Sequence, residues 1–89
     1  PIWAIGSGTS ENPESVRDVC VNCITESLVS LYGKEVSNSI RTIYGGSVNS
    51  EVVTEIVGQT GVDGVLIGGA SLLSNEFLQI VKKVNELLQ

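Results

Sequence analysis

The residues of this chain best suited to chemistry are glycines. Three turns, Gly6-Ser7-Gly8, Gly45-Gly46-Ser47 and Gly68-Gly69-Ala70-Ser71, each follow a short apolar run. Glycine lets the backbone approach a ligand with no Cβ in the way and accepts positive φ, so successive N–H groups can aim at one anion. A helix or short 3-10 turn starting at Ala70 would add its positive dipole end, worth roughly 0.3–1 kcal/mol when exposed and up to about 2 when partly buried. Together the turns would make a cup for a phosphate-type anion. A glycine behind a strand also serves simply to turn the corner, so on spacing alone the cup and a purely structural set of turns both stand.

Side chains offer less. The formal charge is −5, and the cations Arg17, Lys34, Arg41, Lys82 and Lys83 are scattered along the chain. That distribution excludes the basic patch needed by a nucleic-acid or anionic-membrane surface, and it leaves a bound phosphate to backbone N–H groups. There is no histidine. Glu14, Asp18 and Glu26 read as solvated helix positions, and Glu11 as the far end of the first loop, so no residue is assigned as a catalytic base. Cys20-Val21-Asn22-Cys23 spells C-x-x-C, but a redox pair sits at a helix start with a lowered thiol pKa and a zinc site needs about four ligands. Here the i, i+3 spacing reads as two small buried residues on an apolar helix face. No metal and no cofactor is expected.

Three copies of one supersecondary pattern must carry these turns. The first opens with Ile2 to Ile5 as a strand. Asn12-Pro13-Glu14 then supplies an N-cap, an N1 proline and a first-turn acid, and Val16, Val19, Cys20, Cys23, Ile24, Ser27, Leu28 and Leu31 follow on one helical face before Gly33. The second runs from Ile40 to Tyr44, turns, and restarts at Asn49-Ser50-Glu51 with Val52, Val53, Ile56 and Val57. The third runs from Gly64 to Ile67, turns, and after Ser74-Asn75-Glu76 shows Phe77, Ile80, Val81, Val84, Leu87 and Leu88. Strands alternating with helices predict an α/β fold with parallel strands and right-handed crossovers, and Val65 to Ile67 reads as buried on both faces. Three such strands leave two open edges, which the rest of a barrel or an oligomer must cover. No window approaches 18 apolar residues and the start lacks a signal-peptide pattern, so a cytoplasmic protein is expected. A chain opening on Pro1-Ile2-Trp3-Ala4-Ile5 reads as cut from something longer.

The strings Pro1-Ile2-Trp3-Ala4-Ile5-Gly6-Ser7-Gly8, Tyr44-Gly45-Gly46-Ser47-Val48-Asn49 and Gly64-Val65-Leu66-Ile67-Gly68-Gly69-Ala70-Ser71-Leu72 stand in order. They resemble the sixth, seventh and eighth βα units of the triosephosphate isomerase family, over nearly the whole chain. The resemblance implies a TIM (β/α)8 barrel of which this chain, residues 1–89, is the C-terminal part of a single domain. Residues 1–33 would be the lid strand and helix, 38–60 the seventh unit and 61–89 the eighth. It implies interconversion of dihydroxyacetone phosphate and glyceraldehyde 3-phosphate, a step of glycolysis and gluconeogenesis, in a homodimer.

By the same likeness the N–H groups of Gly6, Ser47, Gly68 and Gly69 hold the substrate phosphate. Pro1, Ile2 and Trp3 form the leading hinge of a mobile lid containing Ser7 and Gly8, and Tyr44 and Ser47 latch that lid. The acid–base Glu, His and Lys fall outside the chain, the Glu immediately before the position of Pro1, so the chain alone is expected to be inactive. The family's usual Gly-Thr-Gly-Lys-Thr-Ala is here Gly6-Ser7-Gly8-Thr9-Ser10-Glu11, which puts lid motion rather than the phosphate site in question. Trp3 is expected to pack against the barrel, and Glu76 to Gln89 to form an outer helix with Lys82 and Lys83 on its wet side. A phosphate-binding segment of another TIM-barrel enzyme and a self-associating module without catalysis are the alternatives.

Overall fold

An asparagine starts the helical part of the chain. In the computed structural model, which describes residues 1–88, Asn12 Oδ1 accepts the N–H groups of Glu14 at 2.8 Å and Ser15 at 3.4 Å, and Pro13 takes the first helical position. Helix α1 (Pro13–Asp18) runs into a π-helical segment (Val19–Thr25) and then α2 (Glu26–Tyr32). The wider π turn shifts the buried face: Val16 and Cys20 are buried, Thr25 and Leu28 half-buried, while Val19, Cys23, Ile24 and Leu31 are exposed. The 3.6-residue spacing therefore misplaces Cys23, because the π turn carries the buried side from Cys20 on to Thr25 instead.

Gly33, at φ +88°, ends α2 and lets a further helix α3 (Lys34–Ser39) start at once. The sequence pattern gave no sign of α3, which has one large apolar residue, Val36. Strand β1 occupies Ile43–Gly46, later than the expected Ile40 start, because the Ile40 N–H still donates to the Ser37 carbonyl at 3.1 Å. Strand β2 (Gly64–Ile67) lies parallel to β1, in register from Ile43 with Gly64 to Gly46 with Ile67. A clasp sets that register. The Thr42 N–H donates to the Asp63 carboxylate and the Asp63 N–H donates to the Thr42 carbonyl, both at 2.7 Å.

Helix α4 (Val53–Val57) crosses between the strands, after Asn49 Oδ1 accepts the N–H groups of Glu51 at 2.9 Å and Val52 at 3.1 Å. A 3-10 turn (Gly69–Leu72) and the long α5 (Ser74–Leu88) follow β2. Ile2 to Ile5 is not a strand. Residues Ile2–Ala4 form a 3-10 turn, closed by the Ala4 N–H on the Pro1 carbonyl, and the described sheet has two strands rather than three.

The core joins α1, β1, α4 and α5 through Val16, Cys20, Tyr44, Val48, Val53, Ile56, Val62 and Ile80. Burying each large aliphatic side chain contributes about 1.5–3 kcal/mol. The other side of the sheet is bare: Leu66 is 65% exposed, so the run from Val65 to Ile67 is not buried on both faces. Trp3, expected to be packed, is 52% exposed. Among the described residues no helix is long and apolar enough to cross a membrane.

Candidate functional site

Parallel pairing puts two of the glycine turns side by side. Gly46 lies opposite Ile67, so Ser47 and Gly68 leave adjacent strands at the same end of the sheet, with strands about 4.8 Å apart. Ser47 also reaches the first turn. Its hydroxyl donates to the Ala4 carbonyl at 2.5 Å and accepts the Gly8 N–H at 3.1 Å. All three turns therefore meet at one rim, with Ser47 at the junction.

The first loop is tied down at its far end too. The buried Tyr44 carries its hydroxyl to the loop, where it accepts the Glu11 N–H at 3.0 Å and the Ser10 hydroxyl at 3.4 Å. Gly46 makes this reach possible, since a Cβ there would stand 2.5 Å from Tyr44 Oη and 2.9 Å from Cζ. Within the loop, Gly6 and Gly8 take φ of +66° and +76°, and Ser7 Oγ accepts the Thr9 N–H at 3.1 Å. Glu11 folds its carboxylate back on the Asn12 N–H at 2.8 Å.

On the third turn, Ser71 donates both its N–H, at 3.0 Å, and its hydroxyl, at 2.6 Å, to the Gly68 carbonyl. Gly69 opens the 3-10 turn, whose first N–H groups have no acceptor inside it. Gly6, Gly68 and Gly69 are exposed, and a Cβ added at any of them would meet nothing within 4 Å. The backbone at these three glycines is thus open to approach from outside.

The family model described as triosephosphate isomerase matches residues 1–84. The chain belongs to the triosephosphate isomerase family. The triosephosphate isomerase of Carboxydothermus hydrogenoformans is 44% identical over 82 residues, 92% of this chain and 32% of the relative. That of Rhodococcus jostii is 48% identical over 77 residues, 86% of this chain and 29% of the relative. That of Corynebacterium diphtheriae is 46% identical over 80 residues, 90% of this chain and 30% of the relative. The chain spans about three tenths of the length of these curated relatives.

Against this triosephosphate isomerase background, three contacts escaped the sequence reading. Ser10 is one, bonded to Tyr44. The others are Glu76 and Lys83, which meet the backbone of Ser50: Glu76 Oε1 accepts its N–H and Lys83 Nζ donates to its carbonyl, both at 2.6 Å. Lys83 is accordingly half-buried rather than on the wet side of its helix. The Ser50 N–H, with the Lys83 charge assisting, holds the Glu76 carboxyl below the ordinary carboxylate range. The signal was present in the sequence as an acid and a base seven residues apart, two helical turns on one face. The C-x-x-C pair does no comparable work. Burial, then the Asp63 charge, pushes the Cys20 thiol up, opposite to what an activated thiol requires.

Proposed function

We propose that this chain is the C-terminal part, the sixth to eighth βα units, of a triosephosphate isomerase interconverting dihydroxyacetone phosphate and glyceraldehyde 3-phosphate. In this reading residues 1–11 are the lid, and the N–H groups of Gly6, Ser47, Gly68 and Gly69 converge on the substrate phosphate. Gly68 and Gly69 admit the anion to the backbone because no Cβ blocks the approach, and the 3-10 turn at Gly69 adds its positive end. The bonds from Ser47 to Ala4 and Gly8, and from Ser10 and Glu11 to Tyr44, then belong to the closed lid. Holding a doubly charged phosphate in fixed amides positions the substrate without spending a lysine or arginine on it.

Proton transfer needs a base and an electrophilic donor near the reacting carbons. A chain without histidine grips and covers the substrate while the Glu, His and Lys of the same barrel react, so alone it is inactive. The rest of the barrel, a second subunit and a cytoplasmic setting in glycolysis and gluconeogenesis complete the proposal. The observation that carries it is the Ser47 hydroxyl, which joins the first loop to the end of β1 at the rim where β2 also ends.

The test is a graft. Residues 1–84 replace the matching stretch of the Carboxydothermus hydrogenoformans enzyme, and triose phosphate turnover is followed. The chimera is expected to retain kcat/KM within about 1.4 kcal/mol of its parent, roughly tenfold. A folded chimera that binds 2-phosphoglycolate no better than buffer would refute the assignment.

A further inference from the structure

We infer that Glu76 and Lys83 are positioning residues: from α5 they hold Ser50 by its backbone N–H and its carbonyl, on the two peptide groups that flank it, and thereby fix Ser47, three residues earlier, in the phosphate cup. The inference rests on the phosphate role proposed for Ser47.

The segment between β1 and α4 is neither strand nor helix, yet successive residues are tied to different elements. Ser47 bonds to the first loop, Val48 is buried in the core, and Asn49 caps the approach to α4. Ser50 is where α5 takes hold. Its N–H meets a carboxylate and its carbonyl an ammonium. Such charge-assisted bonds are shorter and roughly twice as strong as neutral ones, and here one is made to each of the two successive peptide groups that meet at Ser50. The residues responsible form one stripe: Glu76, Ile80 and Lys83 fall at i, i+4 and i+7, and Ile80 between them is 2% exposed in the core.

The same helix follows directly on the third glycine turn. The Leu73 N–H donates to the Ala70 carbonyl at 3.1 Å and the Phe77 N–H to the Leu73 carbonyl at 2.9 Å, joining that turn to the start of α5. By gripping Ser50, α5 links the turn at Gly68 and Gly69 to the segment carrying Ser47. It sets the spacing of two walls of the cup from behind, without touching the ligand.

The experiment uses the intact barrel enzyme carrying these residues. Lys83→Met, Lys83→Arg and Glu76→Gln are compared with Lys82→Met, a change on an exposed position of the same helix. The readouts are KM, kcat, the Kd for 2-phosphoglycolate and the amide shift of Ser47. Lys83→Met and Glu76→Gln are expected to raise KM and Kd together by about threefold or more, with kcat moving less. The Ser47 amide should move, Lys83→Arg should bring binding most of the way back, and Lys82→Met should change nothing. A lower melting temperature with Kd and the Ser47 shift unchanged would overturn the inference, and Glu76→Gln, which keeps an acceptor in place, gives the answer should Lys83→Met not fold. If the unsubstituted enzyme does not bind 2-phosphoglycolate, the phosphate reading fails instead, and the Ser47 shift in Lys83→Arg and Glu76→Gln still decides the clamp.

Discussion

Tyr44 reaches Ser10 and Glu11 only because position 46 has no side chain. The two residues sit on the same strand two apart, and the tyrosine ring occupies the space a Cβ at 46 would need. Gly46 thus acts through its absence of bulk on a bond that spans 33 residues of sequence, from the Glu11 N–H to the Tyr44 hydroxyl. Gly46→Ala is expected to turn the ring out, break both bonds to the loop and cost roughly 1–3 kcal/mol, combining overpacking with an unmade hydrogen bond. Tyr44→Phe separates the two contributions, since it removes the hydroxyl alone and should cost about 1 kcal/mol. Urea unfolding gives the energies, and the Glu11 amide shift should change in the same direction in both variants. A Glu11 amide unmoved by Gly46→Ala would mean that the ring has another way to reach the loop. Sequence reading found Gly46 and Tyr44 as members of a motif, but not their contact. A strand pattern tells which face a residue takes, not that one side chain folds back over the next residue on that face.

Helices were legible where their causes are local. Asn12 with Pro13, and Gly33 at positive φ, act within a few residues and mark the helix ends as expected. The π segment between them has no such marker, and a tertiary neighbour packs directly against it. Gly61, at φ +85°, brings the end of the α4 unit against it, so that a Cβ at 61 would stand 2.6 Å from Val21 Cγ2. Val21 is half-buried where regular α spacing would leave it off the face. Gly61→Ala is expected to destabilise by about 1–3 kcal/mol, through both the left-handed backbone and the clash. Adding Val21→Ala removes the clash but leaves the backbone strain, so the double variant should recover part of the loss and not all. Full recovery would show that contact alone matters, and no recovery that the backbone strain alone does. The strand expected at Ile2 to Ile5 failed for a related reason: a strand is stabilised by its partner, and no described strand pairs with this one.

At the scale of the whole molecule, the chain is a slab. Its Cα extents are 41 × 32 × 19 Å and its radius of gyration 13.6 Å, against about 12 Å for a compact domain of this length. Helices α1, α4 and α5 pack with the two-stranded sheet in the core, while large apolar side chains elsewhere are exposed to solvent. Leu66 lies in β2, Leu72 is 86% exposed just past the third turn, and Ile2 is 89% exposed before the first. Of these, Leu66 belongs to the run from Val65 to Ile67 that was expected to be buried on both faces. The expectation came from a pattern suited to a closed barrel, and the relatives this chain matches are about three times as long. A short parallel pair with both edges open and one bare face is a poor independent unit, because unpaired edges and apolar patches of this kind associate. The chain on its own is therefore expected to self-associate with rising concentration in sedimentation velocity, to bind ANS, and to unfold with a low, broad dependence on urea. Joined to the first two thirds of the Carboxydothermus hydrogenoformans enzyme, it should lose the ANS signal and unfold in one sharper transition, since the same leucines and isoleucines would then face strands. A monomer that ignores ANS and unfolds cooperatively would show that α1, α4 and α5 suffice as a core, and would count against the place in a larger barrel proposed for this chain.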